Sequence, residues 1–228
     1  MTMFWQEDED ATTTRLPPAE MVDLSFRIQC RALPVDHAHA LSSALQRALP
    51  WLDQEPEAGI HLIRVVEGNG WYPPDGEALL QLSRRTRMSL RIPRARIAEA
   101  ERLQGQVLDV AGHELTVGAS RVHEMAPEAT LFAHHVVMAA DEAEEDFLGR
   151  LAEALRTGLD IRVRKMMAGR AHVIHHPDGD LATRSVMVAD LAPDESLRLQ
   201  CQGIGPGRKL GCGLFVVHKG IEALSKPK

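Results

Sequence analysis

Two groups of side chains in this sequence have the chemistry to act on a phosphate ester. The first lies near the C-terminus, in Gly203 to Lys219, GIGPGRKLGCGLFVVHK. Gly203, Gly205, Gly207, Gly211 and Gly213 fall within eleven positions there, around Arg208 and Lys209. Glycine reaches backbone conformations closed to other residues and lets a ligand approach the main chain. A loop with free amides and two cations suits a phosphate backbone. The alternative is a flexible turn before a last strand, Leu214 to His218. The second group is histidine, of which there are eleven. An ordinary pKa of about 6.5 lets histidine take or give a proton near neutral pH.

The histidines sort by position. His37 follows Asp36, a residue type that caps helix N-termini, at the start of an expected helix. A helix N-terminus favours the neutral, base-competent ring, although Asp36 opposes this. An ordinary cap contact is the other reading of His37. His39 is two residues on and faces another direction, so both rings cannot serve one phosphate from a regular helix. His134 and His135 alternate in a strand and point to opposite faces. His175 and His176 end a strand before a turn. With His172 they lack an acidic or cysteine partner at ligand spacing, so no metal and no other cofactor is expected. His113, in a hairpin turn, and His218, in the last strand, read as structural or exposed.

The cations follow the same logic. Arg84, Arg85 and Arg87 precede and enter a strand, and Arg91 shares a face with Arg87. Arg162 and Arg164 share a second strand face, and Lys165 and Arg170 bracket MMAG, read as a loop. The formal net charge is -6. Acid concentrates in the leader and in DEAEED at 141–146, so the three basic stretches imply one positive face. Solvated strand edges are the plainer reading of any one stretch alone. Trp71 and Tyr72 sit in a turn-rich loop, GNGWYPPDG, where they could stack a base or anchor the loop. No aromatic platform motif stands out.

Elements must position these groups. The 228 residues suffice for one large domain or two small ones. No apolar run reaches about 18 residues, which argues against a membrane span. The acidic leader, residues 1–20, has no apolar core and reads as disordered, not as a signal peptide. Cys30, Cys201 and Cys212 form no CxxC pair, and a cytoplasmic protein is expected. Val22 to Ala32 alternates as a half-buried strand. A helix runs from His37 to Leu49, and Ile60 to Val66 is a strand. Leu79 to Ser83 and Arg87 to Ile92 form a strand pair or one bent strand. Pro93 opens a helix to Leu103. Gln106 to Gly118 is a hairpin about Ala111 and Gly112, and Thr130 to Met138 is a strand. Past the acidic stretch come a helix, Glu144 to Thr157 with its stop at Gly158, and strands at Asp160 to Lys165 and Arg170 to His175. A strand at Thr183 to Asp190 and a helix at Pro193 to Gln202 lead into the glycine stretch. The fold class is therefore α+β: two ferredoxin-like halves in tandem, residues 21–140 and 141–228, antiparallel sheets with helices on one face.

This order of parts, ending in G-x-G-(x)n-G-x-G and a short apolar strand, resembles the repeat-associated RNA-binding superfamily of CRISPR systems. Within it, the chain resembles the Cas-six type of endoribonuclease. LPVDHAHAL (33–41), SRRTRMSLRIP (83–93) and GIGPGRKLGCGLF (203–215) are most similar to its short Myxan-type branch. The resemblance covers roughly Val22 to Leu224. It implies metal-independent cleavage of CRISPR precursor RNA within its repeats, by 2'-hydroxyl attack that leaves a 2',3'-cyclic phosphate and a 5'-hydroxyl. It further implies His37 as the catalytic histidine, with His39 as runner-up. The cations named above, with Arg208 and Lys209, would hold RNA. The expected partners are a repeat RNA, as a stem-loop, and other CRISPR effector subunits. A non-catalytic RNA-binding subunit of the same superfamily is the alternative.

Overall fold

The computed structural model describes residues 20–65 and 79–218. Residues 1–19 of the expected leader, the Trp71–Tyr72 loop and everything from Lys219 on lie outside the described residues. In chain order the strands of the first half are β1 (Met21–Gln29), β2 (Ala32–Pro34), β3 (Gly59–His61), β4 (Leu79–Gln81), β5 (Arg87–Pro93), β6 (Val107–Val110) and β7 (His113–His123). Helix α1 (Ala38–Ala48) follows β2. The helical run after β5 is α2 (Ile97–Ala100) between two 3-10 turns, Arg94–Arg96 and Glu101–Leu103.

Alternation builds the first sheet. Val22, Leu24, Phe26 and Ile28 of β1 are buried on one face, where α1 packs Leu41, Ala44 and Leu45 against them. Asp23, Ser25 and Arg27 take the other face. The strand order is β3-β5-β1-β7-β6, with every adjacent pair antiparallel. Leaving out the edge strand β6, that is the order of a ferredoxin-like βαββαβ unit. The β6–β7 hairpin turns at Ala111 and Gly112, both at positive φ (54° and 80°), the backbone a two-residue hairpin favours.

The second half contains β8 (Leu131–Val137), α3 (Glu144–Leu159), β9 (Lys165–Ile174), β10 (Leu181–Ala189), α4 (Pro193–Gln202) and β11 (Phe215–Val217). Its sheet runs β11-β8-β10-β9, a full ferredoxin-like order. Phe147, Leu151 and Leu155 of α3 bury against Leu131, Ala133, Val186 and Val188. Pro193 opens α4, and the Glu195 carboxylate accepts the Ala192 N–H at 2.8 Å.

Several expectations change, among them the strand over Ile60 to Val66, which ends at His61 as β3. The halves divide between β7 and β8, not at residue 140, because β8 pairs with β10 and β11. The acidic stretch that suggested the boundary is the β8–α3 connection. Leu79 to Ser83 and Arg87 to Ile92 are neither a pair nor one strand: β4 pairs with β2, and β5 with β1 and β3. Residues 165–174 form one strand, so MMAG is not a loop, and Arg162 and Arg164 lie in the connection ahead of it. Register with β10 explains this, since Met166 and Met167 pair with Val188 and Met187. Finally, α3 passes Gly158 and stops at Asp160, which takes the left-handed cap conformation.

Candidate active site and RNA interface

The glycine-rich stretch connects α4 to β11 and locks the two halves together. Arg208 is 8% exposed. Its guanidinium donates to the Glu57 carbonyl from Nε (2.9 Å) and Nη2 (2.5 Å), to Gln202 O (2.7 Å) and to Cys201 O (3.0 Å). Lys209 Nζ donates to Glu55 O (2.7 Å) and Ala58 O (2.6 Å). Burial pushes the Lys209 ammonium down to about 8, with Arg208 adding to the effect. Residues 55–58 belong to the first half, so these cations are clamps. The expectation that Arg208 grips phosphate is corrected: its three guanidinium nitrogens are occupied by backbone carbonyls, whereas half-buried Lys209 gives two of its three ammonium hydrogens to carbonyls. The glycines make the clamp possible. At Gly203, a Cβ would sit 2.0 Å from Arg208 Nη1 and 2.2 Å from Gly213 O, on a backbone of φ +63°. Only glycine fits there.

Arg91 has the same kind of role. Strand alternation places it on the open face of the first sheet, beside Asp23. The second half covers that end of the face and leaves Arg91 1% exposed. Its guanidinium grips the Asp23 carboxylate from two nitrogens (2.9 and 2.8 Å) and donates to Gln200 O and Phe215 O at 2.8 and 2.6 Å. His61 Nε2 completes the network at 3.0 Å from Asp23. Burial alone would raise the Asp23 carboxyl, but His61 and Arg91 outweigh it and hold it far below the usual carboxylate range. Arg91 is therefore not an RNA contact. Alternation identified its face but not what covers that face.

His37 turns inward. The expected cap, Asp36, makes no cap; His37 itself is the N-cap residue of α1, without a side-chain cap bond, and is 2% exposed. Its Nδ1–H is shared between Pro34 O (2.9 Å) and Val35 O (3.1 Å). Its Nε2 accepts the Ile63 N–H at 3.0 Å. Both nitrogens are thus occupied, and the contacts require the neutral Nδ1–H tautomer. Burial also pushes its pKa below the ordinary value, against the raising effect of the two carbonyls.

His39 faces the other way. It lines an open groove of about 470 Å³ between the halves, together with Ser43, Asp53, His176, Gly205 and Lys209. Ser43 Oγ is 3.5 Å from His39 Nε2, and the His176 ring meets the His39 ring edge to face at 4.6 Å between centroids. The glycine loop therefore reaches His39, not His37. His176, from the β9–β10 connection, carried no sequence signal beyond its residue type, because its partner lies 137 positions away on α1.

Arg84 and Arg85 are exposed at the tip of a tight turn that Ser83 and Thr86 close with backbone and side-chain hydrogen bonds of 3.0 and 3.1 Å. With Arg87, Arg64 and His61 they line an open cleft of about 940 Å³ on the first sheet's free face. Among the described residues no carboxylate pairs with Arg84, Arg85 or Arg87. Exposed Arg27 sits opposite Arg87 in the β1–β5 register, a further cation that the alternation of β1 already displayed. The second-half cations do not join this cleft. Arg162 and Arg170 are exposed, Arg164 donates to Asp190 O at 2.8 Å, and Lys165 pairs with the Asp190 carboxylate at 3.0 Å. The expected single positive face is thus divided. Among the described residues no group of three His, Cys, Asp or Glu side chains is placed to hold a metal ion, and no helix is long and apolar enough to cross a membrane.

Known proteins are similar to this chain in sequence and in fold. The family model described as "Cas6 Crispr" matches residues 22–220. The CRISPR-associated endonuclease Cas6 of Myxococcus xanthus is 33% identical over 195 residues, covering 86% of this chain and 80% of that protein. A solved Cas6-related structure from Pyrococcus furiosus superposes with a TM-score of 0.61 at 11% identity, over 87% of this chain and 99% of that one. A RAMP protein that binds different RNA substrates superposes at 0.56 and 12% identity, over 85% and 98% of the two chains. These two share the ferredoxin-like fold. Over nearly its whole described length, the chain belongs to the Cas6 family of CRISPR endoribonucleases.

Proposed function

We propose that this protein cleaves CRISPR precursor RNA within its repeats without a metal ion, through 2'-hydroxyl attack on the adjacent phosphate. The products are a 2',3'-cyclic phosphate and a 5'-hydroxyl. The observation that carries this reading is the groove in which His39 of the first half faces the Gly205–Leu210 loop of the second. A histidine with an unblocked face in the first turn of a helix can take the 2'-hydroxyl proton. His37 supports α1 from inside and is not the base. Incubation with labelled repeat RNA in excess EDTA tests the proposal. Cleavage at the rate seen in added Mg²⁺ is expected, with a cyclic phosphate on the upstream product. Binding without cleavage would leave the protein as an RNA-binding subunit only.

The basic cleft supports RNA affinity through phosphates more than through base readout. Replacing Arg84, Arg85 and Arg87 together with alanine removes three exposed cations. The slope of log affinity against log salt for a single-stranded RNA should fall in magnitude by about 2. Filter binding at several salt concentrations measures it. An unchanged slope would place the RNA elsewhere.

A further inference from the structure

We propose that His176 is the general acid of the cleavage step, protonating the leaving 5'-oxygen while His39 accepts the 2'-hydroxyl proton. The inference rests on the groove being the cleavage site. It assigns a catalytic role to the second half, which otherwise contributes the glycine loop and packing.

Three chain segments meet at this point. Ala38 of α1, Ile174 at the end of β9 and Cys212 of the glycine stretch form one buried apolar cluster, with Leu62, Val137 and Leu181 packed around it. Each buried residue stands within a few positions of a group lining the groove: Ala38 beside His39, Ile174 two before His176, and Cys212 three after Lys209. The cluster therefore fixes His176 against His39, although the two come from different halves. Rigid packing beneath a pair of functional side chains holds their separation against thermal motion.

The surroundings of His176 suit a proton donor. In the neutral ring, the form left once the proton has been given up, Nδ1 accepts the Asp178 N–H at 3.2 Å. The Asp178 carboxylate lies 3.7 Å from Nδ1 and is the counter-charge when the ring carries a second proton. Gly179, at φ +125°, lets the connection turn back directly after this contact. His175 faces a different carboxylate, Asp180, at 2.9 Å, so the two adjacent histidines have separate partners.

The step balances. The 2'-oxygen forms a bond to phosphorus as His39 takes its proton. The bond from phosphorus to the 5'-oxygen breaks, its electron pair stays on that oxygen, and His176 supplies the proton. His39 ends protonated and His176 neutral; exchange with water restores both. No oxidant, reductant or co-reactant is needed.

The test uses full-length protein and a synthetic RNA of the CRISPR repeat from the source genome, whose cut position is first located by 2'-deoxy scanning. Single-turnover rates are compared for wild type, His176→Ala and His39→Ala on this RNA and on one with sulfur replacing the 5'-oxygen at the cut. A thiolate leaves without protonation. On the oxygen substrate each variant should be about 10²–10⁴-fold slower than wild type. On the sulfur substrate His176→Ala should come within about threefold of wild type, while His39→Ala stays slow; a thiolate bypasses only the acid. Equal slowness of His176→Ala on both substrates would overturn the acid role, as would full activity of His176→Ala on oxygen. If wild type itself leaves both RNAs intact while binding them, the cleavage reading of the groove falls as well. Thermal melting of each variant separates loss of chemistry from loss of fold.

Discussion

His39→Ala is expected to lower single-turnover cleavage of repeat RNA by about 10²–10⁴-fold while leaving stability nearly unchanged. His37→Ala should show the reverse balance. The nitrogens of His37 already meet Pro34, Val35 and Ile63, so no lone pair faces a substrate. Truncating the ring leaves the buried Ile63 N–H without an acceptor, a loss of about 1–3 kcal/mol before any cavity term. His39 is half-buried, and its ring meets the Ser43 hydroxyl at the long distance of 3.5 Å. Losing that contact costs little. Urea denaturation and single-turnover kinetics on both variants check the pair. The assignment would move back to His37 if His37→Ala kept wild-type stability and lost all cleavage.

Much of the framework was legible from the chain. The alternation of β1, the α3 stripe of Phe147, Leu148, Leu151 and Leu155, the Ala111–Gly112 turn and the Pro193 helix start are local patterns, and the structure shows each of them, with Leu148 only partly buried. Errors arose where a long-range partner decides. β8 looked like the end of the first half because a strand's own sequence does not say which sheet it enters. Arg91, Arg208 and Lys209 looked like ligand contacts because they are cationic; each is buried or half-buried by a segment more than a hundred positions away. The site divides on the same principle. Sequence placed a histidine at the start of α1 facing the glycine loop. The choice between His37 and His39 depended on where the chain after β3 would run, and Ile63 is the residue that occupies His37. The exposed arginines of the 83–87 turn needed no distant partner, and they lie as expected at the surface.

Arg91→Ala is expected to destabilise the protein by about 3–5 kcal/mol, the usual cost of leaving one member of a buried ion pair alone. Four hydrogen bonds to three partners would be lost at once. Asp23 would keep only His61, whose own pKa burial pushes below the ordinary value despite the pull of Asp23. The carbonyls of Gln200 and Phe215 would lose a buried donor. Since these carbonyls lie at the end of α4 and in β11, the damage should spread to the glycine stretch between them. Arg91→Ala should therefore also weaken the Arg208 clamp and accelerate amide hydrogen exchange across 203–213, a local opening read separately from global unfolding. The double variant Asp23→Asn/Arg91→Met removes both charges and keeps much of the volume. It should recover part of the loss, because an apolar replacement for a buried pair costs less than an unpaired charge. Equilibrium urea unfolding of the single and double variants gives both numbers. If Arg91→Ala lost less than about 1 kcal/mol, as an exposed pair would, the side chain would not be the buried link between halves described above, and its assignment to the RNA surface would be restored.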